Sequence, residues 1–165
     1  MIGPVSSTPL TRTPYDAPCG RLQIIASDRG LRALLWDAAG ELAGIPAGIS
    51  LVGDTVRRQL DAYFKGDRTT FEVPLDSVGT PFERRVWESL RDIPYGTTRS
   101  YSWQAERLRS PKAARAVGSA NGRNPISIIV PCHRVVRQDG TLGGYAGGLD
   151  AKRYLLSLEA SHHKH

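Results

Sequence analysis

The chain has 165 residues, 40% of them hydrophobic, and two cysteines: enough for one large domain or two small ones with a true core, and too few thiols for a disulfide framework. Its formal net charge of +6 is unevenly placed, since residues 1–80 hold 8 Lys+Arg against 9 Asp+Glu and residues 81–165 hold 14 against 7. No run of about 18 apolar residues occurs and residues 1–18 lack an apolar leader core, so neither membrane spanning nor secretion is indicated, and a reduced, cytoplasmic setting is the default expectation.

In chain order, "RLQIIA" (21–26) and "LRALLW" (31–36) are short apolar runs split by the turn signal "SDRG", which predicts a hairpin. The Gly- and Ala-rich stretch 38–50 reads as loop. In "DTVRRQLDAYFKG", Val56, Leu60, Tyr63 and Phe64 recur at helical spacing, with Asp54 as the expected cap and Gly66 as the close. Phe71, Val73 and Leu75 alternate with Thr70, Glu72 and Pro74, as on a strand near a sheet edge. A change of texture around Asp76–Gly79 places a domain boundary there, dividing the chain into 1–78, 79–160 and a tail at 161–165.

Thr80-Pro81-Phe82-Glu83 combines a capping box with proline at the first helical position, and Phe82, Val86 and Leu90 step by four, predicting a helix to about Arg91. Two short helices are expected after "IPYGTT". One covers about Tyr101–Leu108; the other, capped by Ser110 with Pro111 at its first position, runs to about Ala120. So short a link makes them a helix-turn-helix candidate, whose second helix would lie on DNA, or an ordinary αα-hairpin. Small residues slim the second helix, and Lys112, Arg115 and Arg123 give it charge. The basic half suits a polyanion, because neutralising phosphates releases counterions; it equally suits a solvated surface. The glycines of 137–148 match no nucleotide-binding pattern, and "LDAKRYLLSLE" returns to helix, ending near Glu159, where a carboxylate opposes the helix dipole and a partner could compensate.

"IIVPCHRVV" (128–136) carries the chemistry. Cys132 can be a small buried hydrophobe, but His133 and Arg134 beside it suit a thiolate. Adjacent residues on a strand face opposite ways, so a direct Cys132–His133 contact needs a bend, which Pro131 could mark, or a bridging water. The other histidines lie in the final "SHHKH", which disfavours a protease-type dyad, and no metal site is expected.

"KAARAVGSANGRNPISIIV", "PCHRVV" and "GGYAGG" together resemble the O6-alkylguanine-DNA alkyltransferases, over about half the chain from Gly79 to Glu159. The resemblance implies an α+β protein: a small N-terminal α/β domain of ribonuclease H-like kind, and a mostly helical C-terminal domain with a helix-turn-helix. It implies a DNA repair reaction in which an alkyl group moves from O6 of guanine irreversibly to Cys132, once per molecule and without a cofactor. A Glu159–His133–water relay would activate Cys132, Tyr101 would serve the departing guanine, and Asn124 would tie the turn before the cysteine segment. Lys112, Ala114, Arg115, Ser119, Asn121 and Arg123 would meet double-stranded DNA in the minor groove, Arg115 filling the stack vacated by the flipped base. Tyr101, Val135, Tyr145, Ala146 and Gly147 would form the base pocket, and the protein would act as a monomer. Two competing readings remain: a non-catalytic lesion-binding relative of the same fold, and a thiol hydrolase indifferent to DNA.

Overall fold

Three strands open the fold, β1 (Thr11–Ala17), β2 (Gly20–Ala26) and β3 (Leu31–Trp36), joined into an antiparallel sheet of order β1-β2-β3. The computed structural model describes residues 9–37, 42 and 44–163. The β2–β3 hairpin is as its apolar runs predict, pairing Leu22 with Trp36 and Ile24 with Leu34. Strand β1 was not legible, because Pro14 and its polar neighbours read as a punctuated leader; at a sheet edge the missing proline N–H is tolerated. Every β2 residue from Leu22 to Ala26 is buried, so both faces of the central strand are covered. Ile25 and Ala33 pack with Leu42 and Ile45. The expected loop at 38–50 falls at 38–41 and 43 outside the described residues, as do residues 1–8.

Helix α1 (Leu51–Phe64) starts three residues before the expected cap. Ser50, not Asp54, caps it, its hydroxyl accepting the Gly53 N–H at 3.0 Å. Asp54 instead sits in the first turn and pairs with Arg57 and Arg58 on the surface. Val56, Leu60 and Tyr63 are buried as their spacing predicts. The strand expected at 71–75 does not form: the segment makes one isolated bridge, Leu75 to Leu31. Its backbone is satisfied elsewhere, with the Gln59 amide donating to the Glu72 carbonyl at 3.0 Å and accepting the Glu72 N–H at 2.9 Å. Gly30 is required at this crossing, since a Cβ there would lie 2.4 Å from the Pro74 carbonyl oxygen.

The chain forms two compact units, Met1–Val78 with Pro125–Ser127, and Gly79–Asn124 with Ile128–His165. In the second, α2 (Pro81–Leu90) begins with the predicted capping box: the Thr80 hydroxyl accepts the Glu83 N–H, and the Glu83 carboxylate accepts the Thr80 N–H. Strand β4 (Arg99–Ser100) leads into α3 (Tyr101–Arg107). After a three-residue turn comes a 3₁₀ turn (Pro111–Ala113), then α4 (Ala114–Gly122). Ser110 makes no side-chain cap; its carbonyl, not its hydroxyl, closes the turn by accepting the Ala113 N–H. A reciprocal amide pair joins the two helices, Gln104 Nε2 to Asn121 Oδ1 at 3.0 Å and Asn121 Nδ2 to Gln104 Oε1 at 2.7 Å. Strand β5 (Val135–Val136) pairs parallel with β4, and α5 (Leu149–His162) completes the unit. Helix α5 runs one turn past the end expected at Glu159. Among the described residues no helix is long and apolar enough to cross a membrane.

Candidate active site

The Cys132 segment is neither strand nor helix. Pro131 turns the chain into a single 3₁₀ turn, Cys132–Arg134, before β5. The chain thus bends where Pro131 could mark a bend, one of the two ways, with a bridging water, by which Cys132 could communicate with His133. With about three residues per turn, successive side chains diverge, so Cys132 and His133 face different surroundings. Asn124 ties the approach: its Nδ2 donates to the Val130 carbonyl at 2.8 Å. The β4–β5 pairing, Arg99 with Val135 and Ser100 with Val136, then sets Tyr101, first residue of α3, beside the cysteine segment.

Behind the thiol lies a buried ionic group. His133 Nε2 is 2.7 Å from Glu159 Oε2, and Arg134 donates to the same carboxylate through Nε at 2.8 Å and a terminal nitrogen at 3.0 Å. The third guanidinium nitrogen donates to the Ile93 carbonyl at 2.7 Å. Burial alone would raise the Glu159 pKa, but the His133 hydrogen bond and the Arg134 guanidinium outweigh it and hold the carboxyl well below its usual range. An ionised carboxylate only accepts, so His133 Nε2 carries the hydrogen and Nδ1 keeps its lone pair. Burial, aided by Arg134 and Lys152, keeps the imidazole neutral by pulling its pKa down against the pull of Glu159. Nδ1 is buried and has no hydrogen-bond partner among the described protein groups. The helix-end penalty expected at Glu159 is therefore replaced by a fully engaged buried carboxylate.

Burial pushes the Cys132 thiol up, and the Asn124 hydrogen bond and the nearby Lys152 ammonium only partly oppose it. The resting group is a protonated thiol beside a neutral base. Tyr101 is likewise raised, by burial and then by Cys132, so its hydroxyl keeps its proton. A cavity of about 560 Å³ joins Cys132 and Tyr101. Cys132 and Tyr101 line it with Ala114, Arg115, Gly118, Asn121 and Gly122 of α4, and with Arg137 and Gly143–Ala146 of the glycine loop. Close approach explains Gly143: at φ +72°, a Cβ there would lie 2.8 Å from the Tyr101 hydroxyl.

Of the residues predicted for the site, Cys132, Tyr101, Ala114, Arg115, Asn121, Tyr145 and Ala146 meet at this cavity, while Val135 and Gly147 are not among its lining. The Val135 carbonyl accepts from Lys152 Nζ at 2.8 Å. Several predicted DNA contacts are engaged within the unit. Asn121 is held by Gln104, and Arg123 bonds Glu83 at 2.6 Å and the Ser119 hydroxyl at 2.6 Å. Lys112 and Arg115 are exposed.

Lys152 was missed. It is fully buried, and its ammonium donates to the carbonyls of Val135, Leu142 and Gly144, pinning the glycine loop to β5. Burial lowers its pKa to about 8. Its signal was the spacing Lys152, Leu155, Glu159, which sets two charges on the apolar face of α5. Lys152→Met is expected to leave three carbonyls without this donor and, at about 1–3 kcal/mol for each buried orphan, to speed hydrogen exchange across residues 142–148 by tenfold or more. Unchanged exchange there would refute the pinning role.

The family model described as "6-O-methylguanine DNA methyltransferase, DNA binding domain" matches residues 81–161, and its companion "ribonuclease-like domain" matches residues 10–77. The chain is 43% identical to a methylated-DNA–protein-cysteine methyltransferase of Methanosarcina acetivorans over 150 residues, 89% of this chain and 96% of that relative. Over 104 residues, 63% of each chain, it is 59% identical to the protein of that name from Mycolicibacterium paratuberculosis. The crystal structure of Mycobacterium tuberculosis O6-methylguanine methyltransferase superposes with a TM-score of 0.87 at 42% identity, covering 94% of this chain and 95% of that one. The same organism's OGT in complex with DNA gives 0.86 at 44% identity, covering 92% and 94%. Sequence and fold agree over nearly the whole chain, and the protein belongs to the 6-O-methylguanine DNA methyltransferase family.

Proposed function

We propose that this protein repairs DNA by taking the alkyl group of O6-alkylguanine onto Cys132, once per molecule. The observation that carries this reading is that Cys132 lines a cavity with room for a base and shares one 3₁₀ turn with a neutral, buried His133 whose Nε2 is held by an ionised Glu159. The S–C bond forms as the C–O6 bond breaks; the thiol proton passes to His133 Nδ1, through one water, and guanine takes up a proton as it leaves. Tyr101, still protonated, supplies that proton or a hydrogen bond. A thioether is chemically inert under cellular conditions and no second thiol regenerates it, so each chain acts once.

Guanine O6 inside a duplex is out of reach of a buried thiol, and base flipping, at about a few kcal/mol of unstacking and unpairing, brings it to the cavity. The slender face of α4, with Ala114 and Gly118 on the cavity side, suits a minor-groove approach, with Arg115 entering the vacated stack and Lys112 on a phosphate. Ser119, Asn121 and Arg123 serve this reading as supports of α4, since each already has a partner in the unit. The two helices thus act as a helix-turn-helix, in a monomer working under reducing, cytoplasmic conditions. The thiol and its relay favour transfer over the non-catalytic alternative.

The test is the intact mass of the protein after incubation with duplex DNA carrying one O6-methylguanine. A gain of one methyl in place of a proton, mapped to Cys132 and absent from Cys132→Ser, is the expected result. Tight lesion binding without mass gain would make the chain a non-catalytic binder.

A further inference from the structure

We propose that Arg137 binds a backbone phosphate of the flipped nucleotide at the mouth of the Cys132 cavity. The proposal rests on the reading of Cys132 as acceptor of an alkyl group from DNA. Arg137 follows β5 directly and lines the Cys132 cavity, as well as a second cavity of about 520 Å³ that shares Gly143, Gly144 and Tyr145 as lining. Its side chain is exposed, and no carboxylate among the described residues lies within ion-pair distance of it.

Its neighbours are differently placed. Arg134 is committed to Glu159, Arg153 to Asp150 and Arg123 to Glu83. Asp139, two residues on, is turned to Thr141, whose N–H and hydroxyl donate to it at 3.0 and 2.7 Å. A tight turn fixes the arginine's backbone, with the Arg137 N–H donating to the Thr141 carbonyl and the Gly140 N–H donating to the Arg137 carbonyl, both at 2.9 Å. The guanidinium is thus a cation on a fixed backbone, and its charge acts on Asp139 beside it and on Tyr101 and Lys152 of the site.

A base rotated into this cavity brings its own phosphates to the mouth. Moving a phosphate from bulk water to a protein wall favours a planar, weakly hydrated cation that can bond two oxygens at once. Arg137 is such a group at the required place. It holds the extrahelical nucleotide without touching the reacting atoms, whereas Arg115 lies on α4 and Lys112 in the 3₁₀ turn before it.

Arg137→Ala, Arg137→Lys and the unaltered chain should be compared in single-turnover transfer from duplex DNA with one O6-methylguanine, over a range of salt, and from the free base O6-methylguanine, which has no phosphate. The expected result is a fall of about tenfold on duplex for Arg137→Ala, with a salt dependence shallower by about one counterion. Arg137→Lys keeps the charge but not the planar fork and falls between Arg137→Ala and the unaltered chain on duplex, and in both variants the free-base rate falls far less than the duplex rate. An undiminished duplex rate in Arg137→Ala, or an equal loss on duplex and free base, overturns the assignment. If the unaltered chain itself gains no methyl from the duplex, what fails is the reading of Cys132, and the phosphate assignment goes with it.

Discussion

Replacing Arg134 by methionine is expected to destabilise the second unit by about 3–5 kcal/mol, although methionine keeps the apolar packing of the arginine's aliphatic stem. Arg134 and Glu159 are both almost wholly out of solvent, and the guanidinium donates two bonds to the carboxylate beside that of His133. Without it a buried carboxylate loses its guanidinium while the imidazole bond remains, and the Ile93 carbonyl loses the Arg134 donor. The urea midpoint, followed by tryptophan fluorescence, should drop with little change in slope. Pairing Arg134→Met with Glu159→Gln should recover part of the loss, because the uncompensated charge goes too. The effect depends on pH in a fixed direction. Glu159 is depressed in the fold, so its contribution is present above its unfolded value near 4.5 and is lost as pH falls through the lower folded value. The single variant should lose that acid limb. A loss under about 1 kcal/mol, the range of an exposed pair, would show that Arg134 does not hold Glu159 in place.

Arg134 marks where sequence reasoning stops. The motif made it conspicuous beside Cys132, but its partner lies 25 positions on, and no local pattern links the two. What was legible had local causes: the capping box at Thr80, the four-residue step of α2, the hairpin of β2 and β3. The failures share a cause as well. Ser50 rather than Asp54 caps α1 because the helix extends over Leu51, an exposed apolar residue with no periodicity to reveal it. The run at 71–75 alternates like a strand yet is claimed by a side chain of α1, a long-range event. Likewise Asn121 and Arg123 looked free for DNA because their partners, Gln104 and Glu83, belong to other helices. The residues themselves singled out Cys132 beside His133, and the resemblance added Glu159 and the relay. It named neither Lys152 nor Arg137, whose importance depends on a loop brought back over the cavity.

His133→Gln is expected to slow methyl transfer by about 10²- to 10⁴-fold, the usual contribution of a positioned general base, while lesion binding and fold persist. The thiol is raised by burial and the site offers it no permanent charge strong enough to ionise it, so transfer needs an acceptor at the moment sulfur attacks. Glutamine can still donate to Glu159 but offers no basic nitrogen. In the unaltered chain His133 is depressed below its ordinary 6.5, chiefly by burial. The transfer rate should therefore hold level from neutral pH down past 6.5 and fall only in more acidic solution, where the imidazole takes a proton and loses the Nδ1 lone pair. His133→Gln, already without a base, should show no such acid fall. Glu159→Gln should lie between the two, since it loosens the ring and weakens its basicity without removing the nitrogen. If His133→Gln transferred within about threefold of the unaltered chain, under 1 kcal/mol of barrier, the proton would have to leave Cys132 by another route. The remaining candidate would be Lys152, whose ammonium, held near a pKa of 8, is the other titrating group whose charge acts on the thiol. Activity would then rise with pH through 8 as the lysine lost its proton, the opposite of the acid-limited profile expected for His133.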